Sequence, residues 1–402
     1  MSDLYDPNKP NKPNKKESGG PEPDPTSAPP GGGRPPRMPP GPPPAPGAGD
    51  APEPMPVPDA VAVPEPERIP SAGQANGTAA DRMRIGLWGA PRSGKTTYLA
   101  ALPIAAMQYQ RHNDGSWNIA GMTKEAIDFL AQGMDLLTRQ RAFPPASMGV
   151  QGMAWSVEGP EKKGMLGVRT RRPSFVLEIQ DVAGEVFRHD HPQQPQLVGH
   201  LARSHGLIYL FDPVGDAEEA TESFTYLQAT LNQLTAKVRD RGELVGGRLP
   251  HHVSVCIAKF DHPDIFRPAV EAGWVVQDTV GSQLPRVPRE RSEEFFQWMC
   301  EEFRGYNARL VRDALYSHFD PRRISYYAAS AVGFRLNPQH VFDYGDYVQP
   351  VSVDGTLRIR TSPVPINVLE PLIDLEDRIY RDRGRDRGRD RVRGGRLGGK
   401  RR

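Results

Sequence analysis

The run Gly89-Ala-Pro-Arg-Ser-Gly94-Lys95-Thr96 restricts what this chain can fold into more than any other feature. It fits G-x-x-x-x-G-K-[ST] at every position. A short apolar strand, MRIGLW (83–88), precedes it, and a helix is expected from about Gly94 to Arg111. Glycines let the backbone curl so that successive N–H groups point at one spot. The helix start at Gly94 aims its positive end there as well. Such a loop cradles phosphate oxygens. Lys95 adds a mobile point charge for β- and γ-phosphates, and the Thr96 hydroxyl suits Mg²⁺. The candidate phosphate-binding residues are Gly89, Pro91, Arg92, Ser93, Gly94, Lys95, Thr96 and Thr97, with Lys95 also a catalytic candidate. The competing reading is a chance match on a Gly-rich surface loop; the strand-loop-helix setting argues against it.

Composition divides the 402 residues into three parts. Residues 1–80 hold 23 of the 43 prolines and one aromatic, Tyr5, so they cannot bury enough apolar surface to offset ordering entropy. They read as a disordered Pro/Gly-rich arm. Residues 81–380 read as one P-loop domain with insertions at 113–147, 262–323 and 334–364. Residues 381–402 read as a basic, Arg/Gly-rich disordered tail. From Arg378 onward the charge sums to +9 (eleven Arg and one Lys against three Asp), so the rest of the +2 chain sums to −7. Cys256 and Cys300 are too few for a disulfide framework, and no apolar run reaches the ~20 residues of a membrane span. No leader segment is apparent. A reducing, cytoplasmic setting is expected.

Further strands are expected at 153–159, 174–181, 206–212, 252–261 and 324–330. Helices are expected at 124–141, about 185–204, 217–241, 292–318 and 366–380, and a hairpin at 348–360 around Asp354-Gly355. In the second helix Ile127, Leu130, Met134 and Leu137 form the apolar stripe. Pro103 should kink or break the first helix. Alternating short apolar strands and helices predict a three-layer α/β fold with a mainly parallel six-stranded sheet, the 153–159 strand forming an antiparallel edge.

Two more motifs lie at strand ends. Asp181-Val-Ala-Gly184-Glu185 places a carboxylate where it can hold a Mg²⁺-bound water, and Gly184 lets a backbone N–H approach a γ-phosphate. A turn that merely ends a strand is the alternative. Ala258-Lys259-Phe260-Asp261 follows another apolar strand, and Ser330-Ala331 follows the last.

In this order the motifs resemble the translation-factor-related class of P-loop GTPases, which includes Ras-like proteins. The resemblance spans about residues 83–380 and is nearest the bacterial double-GTPase type, in which two such proteins work as a system. It implies GTP as ligand with Mg²⁺. Asp261 would take two guanine N–H donors, Lys259 would pack on the base, and the backbone at Ser330 and Ala331 would meet the guanine carbonyl. Thr96 and Asp181 would serve the metal, with Ser147 as the first-switch hydroxyl ahead of Thr138 and Thr170. Gly184 and Glu185 would sit at the γ-phosphate. Two departures matter. Ala258 stands where the family has Asn or Thr, which leaves ATP open as the nucleotide. Glu185 stands where many members have a water-orienting Gln, which implies slow hydrolysis or a partner's arginine. The resemblance implies a conformational switch acting on a protein effector or a second GTPase. Rival readings are a binding-only scaffold, an ATP-specific enzyme, and a nucleic-acid-binding protein whose tail contacts nucleic acid or anionic surfaces.

Other residues have plainer readings. Asp212 orders a turn, His251 and His252 face solvent, and Trp88 and Cys256 belong to the core.

Overall fold

Strand β1 (Arg84–Gly89) runs through the centre of a seven-stranded sheet. The other strands are β2 (Asn118–Gly121), β3 (Gln151–Glu158), β4 (Ser174–Asp181), β5 (Gly206–Phe211), β6 (His252–Ile257) and β7 (Ile324–Ala328). Their order across the sheet is β7-β6-β5-β1-β4-β3-β2. The computed structural model describes residues 83–112, 115–145, 151–163, 170–181, 194–215, 222–304 and 306–397. All of these belong to the unit Gly73–Arg402.

Neighbouring strands from β4 through β1, β5 and β6 to β7 pair in parallel. The β3–β4 and β2–β3 ladders are antiparallel. The expected class therefore stands, with one strand more. The 113–147 insertion contributes β2 outside β3, so the antiparallel strand is not the edge. Its four residues, NIAG, are too short and too polar to read as a strand. Pairing with β3 supplies the hydrogen bonds that the sequence alone does not promise.

The strands are covered on both faces, as a parallel sheet requires. Along β5, Leu207, Tyr209 and Phe211 enter one core, and Ile208 and Leu210 enter the other. The first core is closed by α3 (Gln194–Arg203), α4 (Glu222–Asp240), α6 (Ser292–Trp298) and α7 (Tyr306–His318). The second is closed by α1 (Lys95–His112), α2 (Lys124–Asp135) and α8 (Glu370–Leu397). Trp88 and Cys256 are core residues, and Trp88 lies 4.8 Å from Tyr209 between ring centroids.

Several elements differ from expectation. Helix α1 continues unbroken through Pro103, whose neighbours Leu99, Leu102 and Ala106 are buried. In α2 the buried positions are Ala126, Leu130 and Gly133, followed by Leu137 in a π turn, while Ile127 and Met134 face outward. A methyl on Gly133 would lie 2.7 Å from Ala100 Cβ, so small residues set how closely α1 and α2 approach. A π turn at Met299–Phe303 interrupts the helix expected over 292–318. Helix α8 runs to Leu397, past residue 380, where the disordered tail was expected to begin. Salt bridges tie its first turns down: Lys162 to Asp377 at 2.9 Å, and Arg323 to Asp382 at 3.3 Å. Among the described residues no helix is long and apolar enough to cross a membrane.

The insertions build an aromatic cluster behind the C-terminal end of β6. Phe260 lies edge-on to Phe266, Phe295 and Phe334 at 5.8, 6.1 and 5.9 Å between centroids. Phe342 and Tyr347 extend the cluster around Phe266. Phe266 belongs to α5 (Pro263–Glu271), so that helix is held by the same packing. Removing its ring leaves a cavity that such a dense cluster cannot refill. Phe266→Ala is expected to lower unfolding free energy by ~3–5 kcal/mol in urea denaturation; a loss below about 1 kcal/mol would show that the cluster is not structural.

Candidate functional site

The curled loop between β1 and α1 has the backbone that its sequence requires. Gly89 closes β1 against β5: a Cβ there would come 2.7 Å from Ser93 Oγ and 2.8 Å from the Leu210 carbonyl oxygen. Arg92 and Gly94 have φ of 62° and 88°, in the left-handed region. Left-handed residues so closely spaced turn the intervening amides towards one side, forming an anion nest. Helix α1 begins directly after, with the Tyr98 N–H donating to the Gly94 carbonyl at 2.8 Å. The Lys95 ammonium donates to the Gly89 and Ala90 carbonyls, both at 2.9 Å. Lysine is thus held across the loop it would serve. A charged phosphate oxygen is a stronger acceptor than either carbonyl and would draw it outward.

The second cluster forms where β6 and β7 end. Lys259 has φ 57°, which turns the chain sharply before the anchored Phe260 ring. The Phe260 N–H donates to Ala329 at 3.0 Å, linking this turn to the end of β7. Asp261 is buried, and its Oδ1 accepts from the Ser330 hydroxyl. Ser330 Oγ in turn accepts from the Gly333 N–H at 2.7 Å. Gly333 has φ 69°, and a Cβ there would fall 1.9 Å from the Val364 carbonyl oxygen, so no other residue fits. Burial pushes the Asp261 carboxyl above the ordinary carboxylate range, opposed by the Ser330 bond and by the charges of His262 and Lys259.

Lys259 reaches the other way. Its Nζ donates to Asp212 Oδ2 at 2.6 Å, and Asp212 Oδ1 accepts from the Val214 and Gly215 amides at 3.1 and 3.2 Å. Asp212 orders a turn, as expected, and also holds Lys259. Ala258 carries no polar brace. Its amide bonds to Phe211 at 2.8 Å, and the Lys259–Asp212 pair and the Phe260 packing fix the turn instead.

The two clusters face one cavity of about 370 Å³. Arg92, Ser93, Gly94 and Thr97 line one end, and Ala258, Lys259, Asp261 and Ala331 the other. Phe143, Pro350 and Leu357 complete the wall; none was recognisable as a site residue in the sequence. They come from the first and last insertions, which are joined by the Ile359 N–H donating to the Arg141 carbonyl at 2.8 Å. Ser330 stands behind Asp261. Thr96 lies in the first turn of α1. Asp181 ends β4, and the β1–β4 register, Gly86 opposite Glu178, carries it level with Gly89. Thr138 donates to the Met134 carbonyl within its own helix at 2.7 Å. Ser147, Gly184 and Glu185 lie outside the described residues.

No protein-family model matches the chain, and no curated protein matches it. Several solved structures match loosely, two of them as follows. One is Sup35 complexed with GDP, at 13% identity and a TM-score of 0.26, over 66% of this chain and 42% of that one. The other is the signal recognition particle receptor SRβ-GTP/SRX complex from Chaetomium thermophilum, at 17% identity and a TM-score of 0.23, over 53% of this chain and 89% of that one. The chain thus spans less than half of the Sup35 chain. Similarity this slight assigns no activity.

The raised Asp261 carboxyl makes a test of burial. A group whose folded pKa lies above its unfolded value adds stability that is present below the unfolded value, ~3.9, and lost as pH rises through the folded one. Asp261→Asn removes that titration. Without nucleotide, the unmodified chain is expected to lose stability relative to this variant as pH rises above about 4, read from urea midpoints. Parallel curves would contradict the burial of a charged carboxylate.

Proposed function

We propose that this chain binds a guanine nucleoside triphosphate with Mg²⁺, hydrolyses it slowly, and uses the difference between the two nucleotide states as a switch for a partner protein. One observation carries this reading: a single cavity has a phosphate-type nest at one end and a buried, hydroxyl-held carboxylate at the other. Its volume of about 370 Å³ falls in the range of small-molecule sites.

The chemistry follows from the residues. Loop amides from Arg92 onward and the start of α1 take phosphate oxygens. Lys95 leaves the Gly89 and Ala90 carbonyls for the β- and γ-phosphates. Asp261 offers a planar pair of acceptors to a ring N–H and an exocyclic amine, an edge that guanine has and adenine lacks. Ser330 holds that carboxylate at one angle, and the Lys259 stem flanks the base. An adenine there would leave a buried carboxylate without its donors, which is a strong basis for rejection. Thr96, in the first turn of α1, and Asp181, at the end of β4, would serve a metal at the β/γ-phosphates. When bound, Mg²⁺ supplies charge neutralisation there.

Glu185, in place of a neutral amide, favours slow hydrolysis. Nucleotide-dependent movement would be read at the segments before β3 and after β4. The first is tied at Arg141 and Ala142 to the 350–359 hairpin, so a partner that touches the hairpin would sense it.

The test is competition of GTP and ATP against a fluorescent guanine nucleotide. Lys95→Ala is expected to weaken all triphosphates. Asp261→Ala is expected to weaken guanine nucleotides by on the order of 100-fold or more, through two charge-assisted hydrogen bonds, with ATP unaffected. Preference for ATP in the unmodified chain would overturn the assignment of Asp261.

A further inference from the structure

A second cavity, of about 770 Å³, lies at the other ends of the same strands. Arg84 opens β1 while the phosphate loop follows its last residue, and His252 opens β6 while Lys259 follows its end. The two cavities are therefore separated by the length of a six-residue strand, roughly 17 Å or more.

This cavity is strongly basic. Arg84, Arg203, Arg241, Arg323 and Arg383 line it, against the acids Glu243 and Asp382. An adjoining cavity of about 790 Å³ shares Arg323 and Asp382 and adds Arg248, Arg322, Arg378 and Arg381, with Asp320 paired to Arg322 at 2.7 Å. Some of these guanidinium groups are engaged: Arg84 with Glu178 at 3.5 Å, Arg323 with Asp382 at 3.3 Å. Arg241 donates to the Ala202 carbonyl at 3.2 Å. Arg203 and Arg383 enter no ion pair among the described residues.

Two histidines set deep in the wall make this more than a charged surface. His251 and His252, expected from the sequence to face solvent, are only 2% and 6% exposed. They lie at the start of β6, where the chain enters the sheet between β5 and β7. The Nδ1 of each is buried without a hydrogen-bond partner. His252 Nε2 meets Asp382 Oδ2 at 3.0 Å, and His251 bonds to the Leu201 backbone. Burial holds both rings down to about 4, helped at His251 by His205 and Arg323 and at His252 by Arg378 and Arg323, so each is neutral near pH 7. A bound anion offsets the positive charge of the arginines around these rings.

The lining selects among anions. Neither cavity has a Phe, Tyr or Trp in its wall, so bases have no platform to stack on. The volume is that of a small-molecule site rather than a track. Guanidinium forks converging from α3, β1 and α8 suit an ion with several oxygens on adjoining centres. We propose that the cavity at the N-terminal ends of β1, β5 and β6 binds a compact multivalent phosphate-bearing anion, independently of the nucleotide.

The probe is inorganic tripolyphosphate, titrated calorimetrically into the full chain carrying Lys95→Ala to weaken the phosphate loop. Uptake is expected to persist, and to fall about tenfold or more with Arg203→Gln and again with Arg383→Gln. Arg203 is exposed and Arg383 half-buried, so both variants should fold, checked by an unchanged Tm. Absence of uptake in the Lys95→Ala chain, or uptake indifferent to both arginines, would overturn the proposal. So would tighter binding of a twelve-residue oligothymidylate than of tripolyphosphate through the same two arginines, which would make the cavity a nucleic-acid track.

Discussion

A carboxylate taken out of water needs hydrogen-bond donors, or it becomes protonated. Asp261 has the Ser330 hydroxyl, and burial works against its charge. Its position is fixed by a turn whose backbone is left-handed at Lys259 and whose next side chain, Phe260, is locked among aromatic rings. The rest of the site follows from that placement. Lys259 must point back towards Asp212, Ser330 must sit where its oxygen reaches both Asp261 and the Gly333 amide, and Gly333 must lack a side chain. A carboxylate so arranged is badly satisfied on its own and well satisfied by a ligand edge carrying two N–H groups.

The insertions are part of this arrangement. The segment after β6 supplies Phe266 and Phe295, and the segment after β7 supplies Phe334, Phe342 and Tyr347, all around or beside Phe260. The last insertion also returns to the cavity with Pro350 and Leu357, meeting Phe143 from the first. Ala258 carries no polar brace at the turn before Asp261, and the aromatic packing around Phe260 holds that turn instead. The same strands carry opposite chemistry at their two ends: a curled amide loop and a buried carboxylate at one, guanidinium groups and buried imidazoles at the other.

How much of this was legible in the sequence depended on distance along the chain. The phosphate loop is eight consecutive residues whose backbone is dictated by Gly89 and Gly94, so motif and geometry coincide. The hairpin turn at Asp354-Gly355 was equally local, and both residues have positive φ. Asp261 and Ser330 were identified separately, because each ends an apolar strand; their hydrogen bond spans 69 positions and no spacing encodes it. Asp212 was visible only as a turn former, since its bond to Lys259 depends on β5 and β6 being neighbours. Phe143 and Leu357 gave no signal at all. His251 and His252 were misplaced because polar residues before a strand usually face solvent, whereas here α3 and α8 close over the strand's start. Helix α8 outran expectation because its anchors, Lys162 and Arg323, are supplied by distant segments.

On the proposed reading, one cavity takes a guanine nucleotide with its phosphates in the loop and its base on Asp261. A crystal structure of the full chain with Mg²⁺ and GDP tests it most directly. The base edge is expected within hydrogen-bond reach of both Asp261 oxygens and the β-phosphate among the amides after Pro91, with Lys95 withdrawn from the Gly89 and Ala90 carbonyls. A nucleotide bound elsewhere, or one whose base edge turns away from Asp261, would contradict it.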